Sequence, residues 1–158
     1  MMGREVIESP IQQMWSESIF EIEPIGTDSA NIVWEWHLWD HLIQDVDPSL
    51  ENYGSIYDHP ELLDINLGVV GFGPAIDNAD WIHFNSIHYN GELDQIILSS
   101  RMMNEIYIID HSTSSEEAAS HSGGNYTKGG DFLYRWGNPN TYGRGNDDTD
   151  HILKDPHG

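Results

Sequence analysis

Two stretches set polar side chains among apolar ones. The first is Asp80-Trp81-Ile82-His83-Phe84-Asn85-Ser86-Ile87-His88-Tyr89, and the second is Ser99-Ser100-Arg101. Alternation along a strand puts His83, Asn85 and Ile87 on one face and Phe84, Ser86 and His88 on the other. His83 and Asn85 then project together, an imidazole and an amide able to share one substrate or orient one catalytic group. Arg101 follows directly on the apolar run Gln95 to Ser100, at a strand end. Its planar fork suits the oxygens of phosphate, sulfate or carboxylate. A plainer reading stands beside each residue. His83 and Asn85 also serve to satisfy loop backbone groups, and an Arg among 27 acidic residues readily finds a carboxylate. On residue types alone, the plainer reading is favoured.

Other groups are weaker candidates. His37, Asp40, His41 and Asp45 cluster in sequence, and on a helix His37 and His41 would share a face as metal ligands do. No Glu follows His37, so the metalloprotease pattern fails. The expectation is no metal, with His41 a polar core residue. Asp147-Asp148-Thr149-Asp150 lacks the Gly and Glu of a helix-loop-helix calcium site and reads as a solvated loop. Asn125-Tyr126-Thr127 is a glycosylation sequon, meaningful only in a secreted eukaryotic protein.

The chain's 158 residues suffice for one domain with a sizeable core. The net charge of −21 disfavours nucleic acid and anionic membrane surfaces as partners. Only six residues are Lys or Arg, so a buried Arg facing an anionic substrate would be a local exception to the global field. With no Cys, disulfides, thiolate metal sites and thiol nucleophiles are excluded. No apolar run is long enough to span a membrane as a helix. The start, Met1 to Val6, lacks a signal-peptide core, which fits a cytoplasmic protein or a missing true start.

The elements that must position these residues read as short strands between turn-rich pieces. Ser18 to Pro24, Asn31 to His37, Trp81 to Tyr89, Gln95 to Ser100, Glu105 to Asp110 and Asp131 to Gly137 are the strands. Asn90-Gly91 is a tight-turn signal. Leu38 to Val46 has helical spacing. The segments from Asp47 to Ala79 and from Ser112 to Gly130 read as long loops.

An internal repeat organises the strands. Ile19 to Glu23 followed by Ile32-Val33-Trp34-Glu35-Trp36 is echoed by Ile106 to Asp110 followed by Phe132-Leu133-Tyr134-Arg135-Trp136. Each copy is a strand, a polar excursion, then a strand ending in aromatic-x-Trp. Four sequential antiparallel strands make one propeller blade. Residues 80–137 read as a whole blade, 14–37 as the back half of the preceding one, 38–79 as helix and long loop, and 138–158 as the start of the next. The expected fold class is all-β, about one and a half blades of a β-propeller. Propellers need four to eight blades, so the chain is expected to be a fragment of a longer protein. A complete small β-sandwich is the alternative.

Asp80-Trp81-Ile82-His83-Phe84-Asn85, then Ser99-Ser100-Arg101 and the Ile106 to Asp110 strand, resembles the bacterial aryl-sulfate sulfotransferase family. The resemblance covers most of residues 14–153. It implies a six-bladed propeller that needs no cofactor. The implied reaction moves a sulfuryl group from a phenolic sulfate ester to an acceptor phenol through a sulfated histidine. By resemblance, His83 and Arg101 hold the sulfuryl oxygens and Asn85 orients the nucleophilic histidine. A protonated His83 would also serve as general acid. His157 sits where the nucleophile should fall, although Pro156 departs from the family pattern. The catalytic set so implied is His83, Arg101 and His157. The implied partners are an aryl sulfate donor and a phenolic acceptor, with a homodimer for the full-length parent and a periplasmic or extracellular location. The competing functions are a non-catalytic propeller that binds an anionic ligand or a protein, and a metal-dependent hydrolase.

Overall fold

The computed structural model describes residues 2–71, 77–145 and 153. It is all-β: eight strands and, among the described residues, no helix longer than four residues. β1 (Ser18–Ile25) and β2 (Ser29–His37) form an antiparallel hairpin. β3 (Leu42–Ile43) and β4 (Leu63–Asp64) are a short parallel pair. β5 (Phe84–Asn90), β6 (Gln95–Ser100), β7 (Glu105–Asp110) and β8 (Tyr134–Trp136) make a four-stranded antiparallel sheet in chain order. Between β7 and β8 lies α1 (Ser115–Ala118), a single turn. Its capping box has Ser114 accepting from the Glu117 N–H while the Glu117 carboxylate accepts from the Ser114 N–H.

The apolar pattern explains this arrangement. In β6, Ile96 and Leu98 are buried, and in β7, Tyr107 and Ile109 are buried, the period-two signature of one covered face. The hairpin packs against that face through Trp34 and Trp36, both buried. The Trp34 indole N–H donates to Thr113 Oγ1 (3.1 Å), and that of Trp36 donates to the Gly130 carbonyl (2.8 Å). Tyr107 stacks on Phe132, with ring centroids 4.5 Å apart. The matching aromatics of β8 are treated differently: Tyr134 is 55% exposed and Trp136 is 42% exposed.

Three expectations need correcting. The helix expected over Leu38 to Val46 is a four-residue 3-10 turn, Leu38–His41, that runs into β3. Tertiary partners outcompete the helical period there. Leu42 and Ile43 pair with β4, and Gln44 Oε1 accepts from the Val46 and Asp47 N–H groups. The segment after Asp47 is not structureless, since it contains β4 and is pinned by Arg4. That guanidinium donates to the carbonyls of Ile65, Leu67 and Gly68 at 2.7–2.8 Å. Finally, Trp81 and Ile82 precede the strand. They are fully buried in irregular chain, with the Trp81 indole donating to the Leu67 carbonyl. The tail from Thr149 lies outside the described residues apart from Leu153.

One buried ion pair locks the last strand in place. Arg135 in β8 grips Glu105 in β7 with two bonds, Nη2 to Oε2 at 2.6 Å and Nε to Oε1 at 3.2 Å. The same guanidinium donates to the Leu62 carbonyl (2.8 Å) and to Thr141 Oγ1 (2.8 Å). It thus ties the sheet to the long loop and to the 3-10 turn Pro139–Tyr142. Breaking a buried pair strands the surviving charge, at a cost of about 3–5 kcal/mol. Arg135→Met should therefore lower the urea unfolding midpoint by that much stability. The double replacement Arg135→Met with Glu105→Leu should recover part of the loss but not all, because the Leu62 carbonyl is left unpaired.

Candidate functional site

His83 stands one residue before β5 in the left-handed region, at φ 54°. A non-glycine residue there is strained by about 1–2 kcal/mol. Three contacts impose the conformation. Asp80 Oδ2 lies 2.5 Å from His83 Nδ1, so Nδ1–H donates to it and Nε2 points away. The His83 carbonyl accepts from the Arg101 N–H at 3.2 Å, and the Ile82 carbonyl accepts from Ser100 Oγ at 2.6 Å. Ser100 Oγ in turn accepts from the Met103 N–H, closing the turn after β6. The Ser-Ser-Arg run is thus stitched to the backbone of His83 and its neighbour. The His83 side chain is 43% exposed, and Arg101 is half-buried.

Asn85 is an added residue in the ladder. Phe84 pairs with Ser100 and Ser86 pairs with Ser99, so β5 bulges at Asn85. Simple alternation therefore does not run through the site. Phe84 turns towards Trp36 and Tyr107, while Ser99 Oγ donates to Asn85 Oδ1 at 2.8 Å. Ser86 Oγ lies 2.7 Å from Ser99 Oγ. The structure brings His83, Asn85 and Arg101 to one end of the β5–β6 pair. His157 lies outside the described residues.

Two further acids belong to this corner. Asp80 was in the sequence run but had no assigned role. Glu17 carried no sequence signal, because its partners come from some 65 residues on. The segment before β1 runs beside Ala79 and Asp80, with the Trp15 N–H donating to the Ala79 carbonyl. That path puts Glu17 Oε1 on the Phe84 N–H (3.2 Å), and Glu17 Oε2 is buried without a hydrogen-bond partner among the described residues. Burial pushes the Glu17 carboxyl up to about 7, with the Asp80 charge adding to it, against the opposing pull of the Phe84 and His83 N–H groups. A cavity of about 310 Å³ opens here, lined by Glu17, Phe84, Asn85 and Ser86 among others. Larger cavities of about 590 and 630 Å³ lie elsewhere and include none of these residues.

The other histidines sort themselves by contact. His37 Nδ1 meets Ser18 Oγ at 2.7 Å and its Nε2 lies 3.4 Å from Glu35, whereas His41 is fully buried beside Asp131. The expected pairing of His37 with His41 on one helix face is therefore not made. Among the described residues, the set able to hold a metal is instead His41, His121 and Asp131. The acidic run from Asp147 to Asp150 lies outside the described residues.

Sheet and corner together define an all-β protein with an imidazole, an amide and a guanidinium gathered at one strand end. Residues 14–117, more than half of the chain, match the family model Arylsulfotransferase (ASST), and the chain belongs to that family. No curated protein and no solved structure matches it. The matched residues include Glu17, Asp80, His83, Asn85 and Arg101 and end before β8. Membership points to arylsulfotransferase activity on small molecules.

Glu17 gives the site a stability signature. Its folded value of about 7 lies above the unfolded 4.5, so the stability it supplies is complete below pH 4.5 and is lost as pH rises through 7. Between about pH 4.5 and pH 8 the wild type should lose on the order of 3 kcal/mol that Glu17→Gln does not lose. Urea unfolding of both proteins at the two pH values checks this.

Proposed function

We propose that this corner binds the sulfuryl group of a phenolic sulfate ester and delivers it to an acceptor phenol through a sulfated histidine. The carrying observation is the joint placement of His83, Asn85 and Arg101 by a strained backbone and a bulge, inside the residues that match the family. Strain held at a polar corner is characteristic of functional sites. Arg101 supplies a fork for the equatorial oxygens, and a protonated Nε2–H of His83 donates to a sulfuryl oxygen or to the departing phenolate. Asn85 orients the nucleophilic histidine, for which His157 is the candidate. By analogy with phosphoryl transfer, positioning and cationic donors account for most of the acceleration.

We further propose that the four-stranded sheet is one blade of a six-bladed propeller outside the cytoplasm, acting on its aryl substrates as a homodimer. The aromatic-x-Trp repeat supports the propeller. In the first copy, the following sheet covers Trp34 and Trp36. In the second copy, Tyr134 and Trp136 stand exposed at matching positions, where a further sheet would cover them. Among the described residues there are fewer sheets than a closed ring takes, and we propose that the 158 residues by themselves are inactive.

The test is transfer from a chromogenic aryl sulfate to an acceptor phenol by the full-length parent. His83→Ala and Arg101→Ala should each lower kcat/KM by about 100-fold or more, the scale of a lost transition-state donor. Absence of transfer, or transfer undiminished in both variants, would sink the assignment.

A further inference from the structure

His41, the last residue of the 3-10 turn, meets His121 and Asp131. Their ligand atoms, one from each residue, all lie within 4.8 Å of one another. Asp131 Oδ1 is 2.8 Å from His41 Nδ1 and 2.8 Å from His121 Nδ1. The two rings stand nearly perpendicular, at 84°, so their Nδ1 atoms approach the same oxygen from different directions.

The other nitrogen of His41 decides what this meeting requires. Nε2 lies 2.8 Å from the Ala118 carbonyl, an acceptor only, so Nε2 carries a hydrogen. In the neutral ring, Nδ1 then presents a lone pair to a carboxylate oxygen. That contact is repulsive unless a cation lies between the two atoms. A proton shared between the two groups or a metal ion satisfies it. One ring N–H donating to a backbone carbonyl, which leaves the other nitrogen to bind, is the usual outer-shell arrangement of a metal-bound histidine.

The surroundings are built to hold that ring in place. His41 is fully buried and stacks on Trp36 at 5.3 Å with an interplanar angle of 4°. Gly130 passes so close that a methyl group there would run into the Ala118 carbonyl and the His41 ring. Asp131 is buried as well, whereas the His121 side chain is 61% exposed. The cavity of about 590 Å³ reaches His121 and Ala119 and has Asp40 and His59 on its walls, which gives an ion a route in.

We propose that His41 Nδ1, His121 Nδ1 and Asp131 Oδ1 bind a borderline divalent transition-metal ion, zinc foremost, with solvent in the fourth position. Two imidazoles and one carboxylate are the ligand class such an ion takes, with bonds of about 2.0–2.2 Å. The 2.8 Å separations need to open by about half an ångström for a tetrahedral ion. His121, the exposed member of the set, is the residue with room to make that adjustment. Asp131 and His121 lie beyond the residues that match the family, so the site is independent of the sulfuryl-transfer reading.

The test is zinc titration by calorimetry on the purified chain stripped with a chelator, with Co²⁺ as a spectroscopic probe. One equivalent of Zn²⁺ should bind. Co²⁺ should give the visible d–d bands of a tetrahedral nitrogen and oxygen site, and Zn²⁺ should displace it. His121→Ala should weaken zinc binding by about 100-fold or more. That side chain is exposed, so the metal-free unfolding midpoint of the variant should match the wild type. No zinc binding by the folded wild type, or binding unchanged in His121→Ala, would overturn the proposal. So would nitrogen NMR that shows both His41 ring nitrogens protonated with zinc in excess, which identifies the cation as a proton.

Discussion

Phe84 pairs with Ser100 and Ser86 with Ser99, so Asn85 is an extra residue in the β5 ladder. That one added residue sets the geometry of the whole corner. It turns Phe84 inward towards Trp36 and frees the Asn85 amide to be held by Ser99. It also ends regular pairing, so the chain before it is fixed by other contacts. His83 then sits in the left-handed region, held by Asp80 on one side and by the Ser100–Arg101 turn on the other. The three polar residues share a strand end because a bulge and a strained residue put them there.

Strain of this kind persists only on a firm support. The support is arginine-based, which follows from the charge. In a chain of net charge −21, each guanidinium is a scarce group surrounded by acceptors. Arg4 collects three carbonyls of the long loop, and Arg135 joins β7, β8, that loop and the turn after β8. Arg144 donates to the Tyr57 carbonyl with its charge over the Tyr57 ring. Arg101 is placed differently, at the strand end beside His83 and within the matched family region.

The sheet was legible in the sequence where apolar runs are bounded by turns. β6 and β7 fall on Gln95–Ser100 and Glu105–Asp110, the residues that the pattern marks. It misled where burial and periodicity part company. Trp81 and Ile82 read as strand because they are apolar, yet they fill the core from irregular chain. Leu38 to Val46 has helical spacing, but His41 and Leu42 are held by residues from Leu63 to Asp131. Glu17 was invisible, since nothing in Ser16-Glu17-Ser18 announces a buried acid and its partner Phe84 is far along the chain. His41 was legible as a possible ligand but with His37 as its partner, because His121 and Asp131 lie some 80–90 residues further along. His83, Asn85 and Arg101 were legible as types, but only the family pattern separated them from ordinary structural residues.

The central claim is that the His83, Asn85 and Arg101 corner receives the sulfuryl group and passes it to a histidine before any acceptor arrives. The most direct measurement is rapid-mixing release of phenol from a chromogenic aryl sulfate by the protein, with no acceptor phenol present. The account predicts a burst of one phenol per protein, then a stall relieved by added acceptor, with the burst slowed about 100-fold or more in His83→Ala. Steady release into water without a burst, or a burst of unchanged rate in that variant, would contradict it.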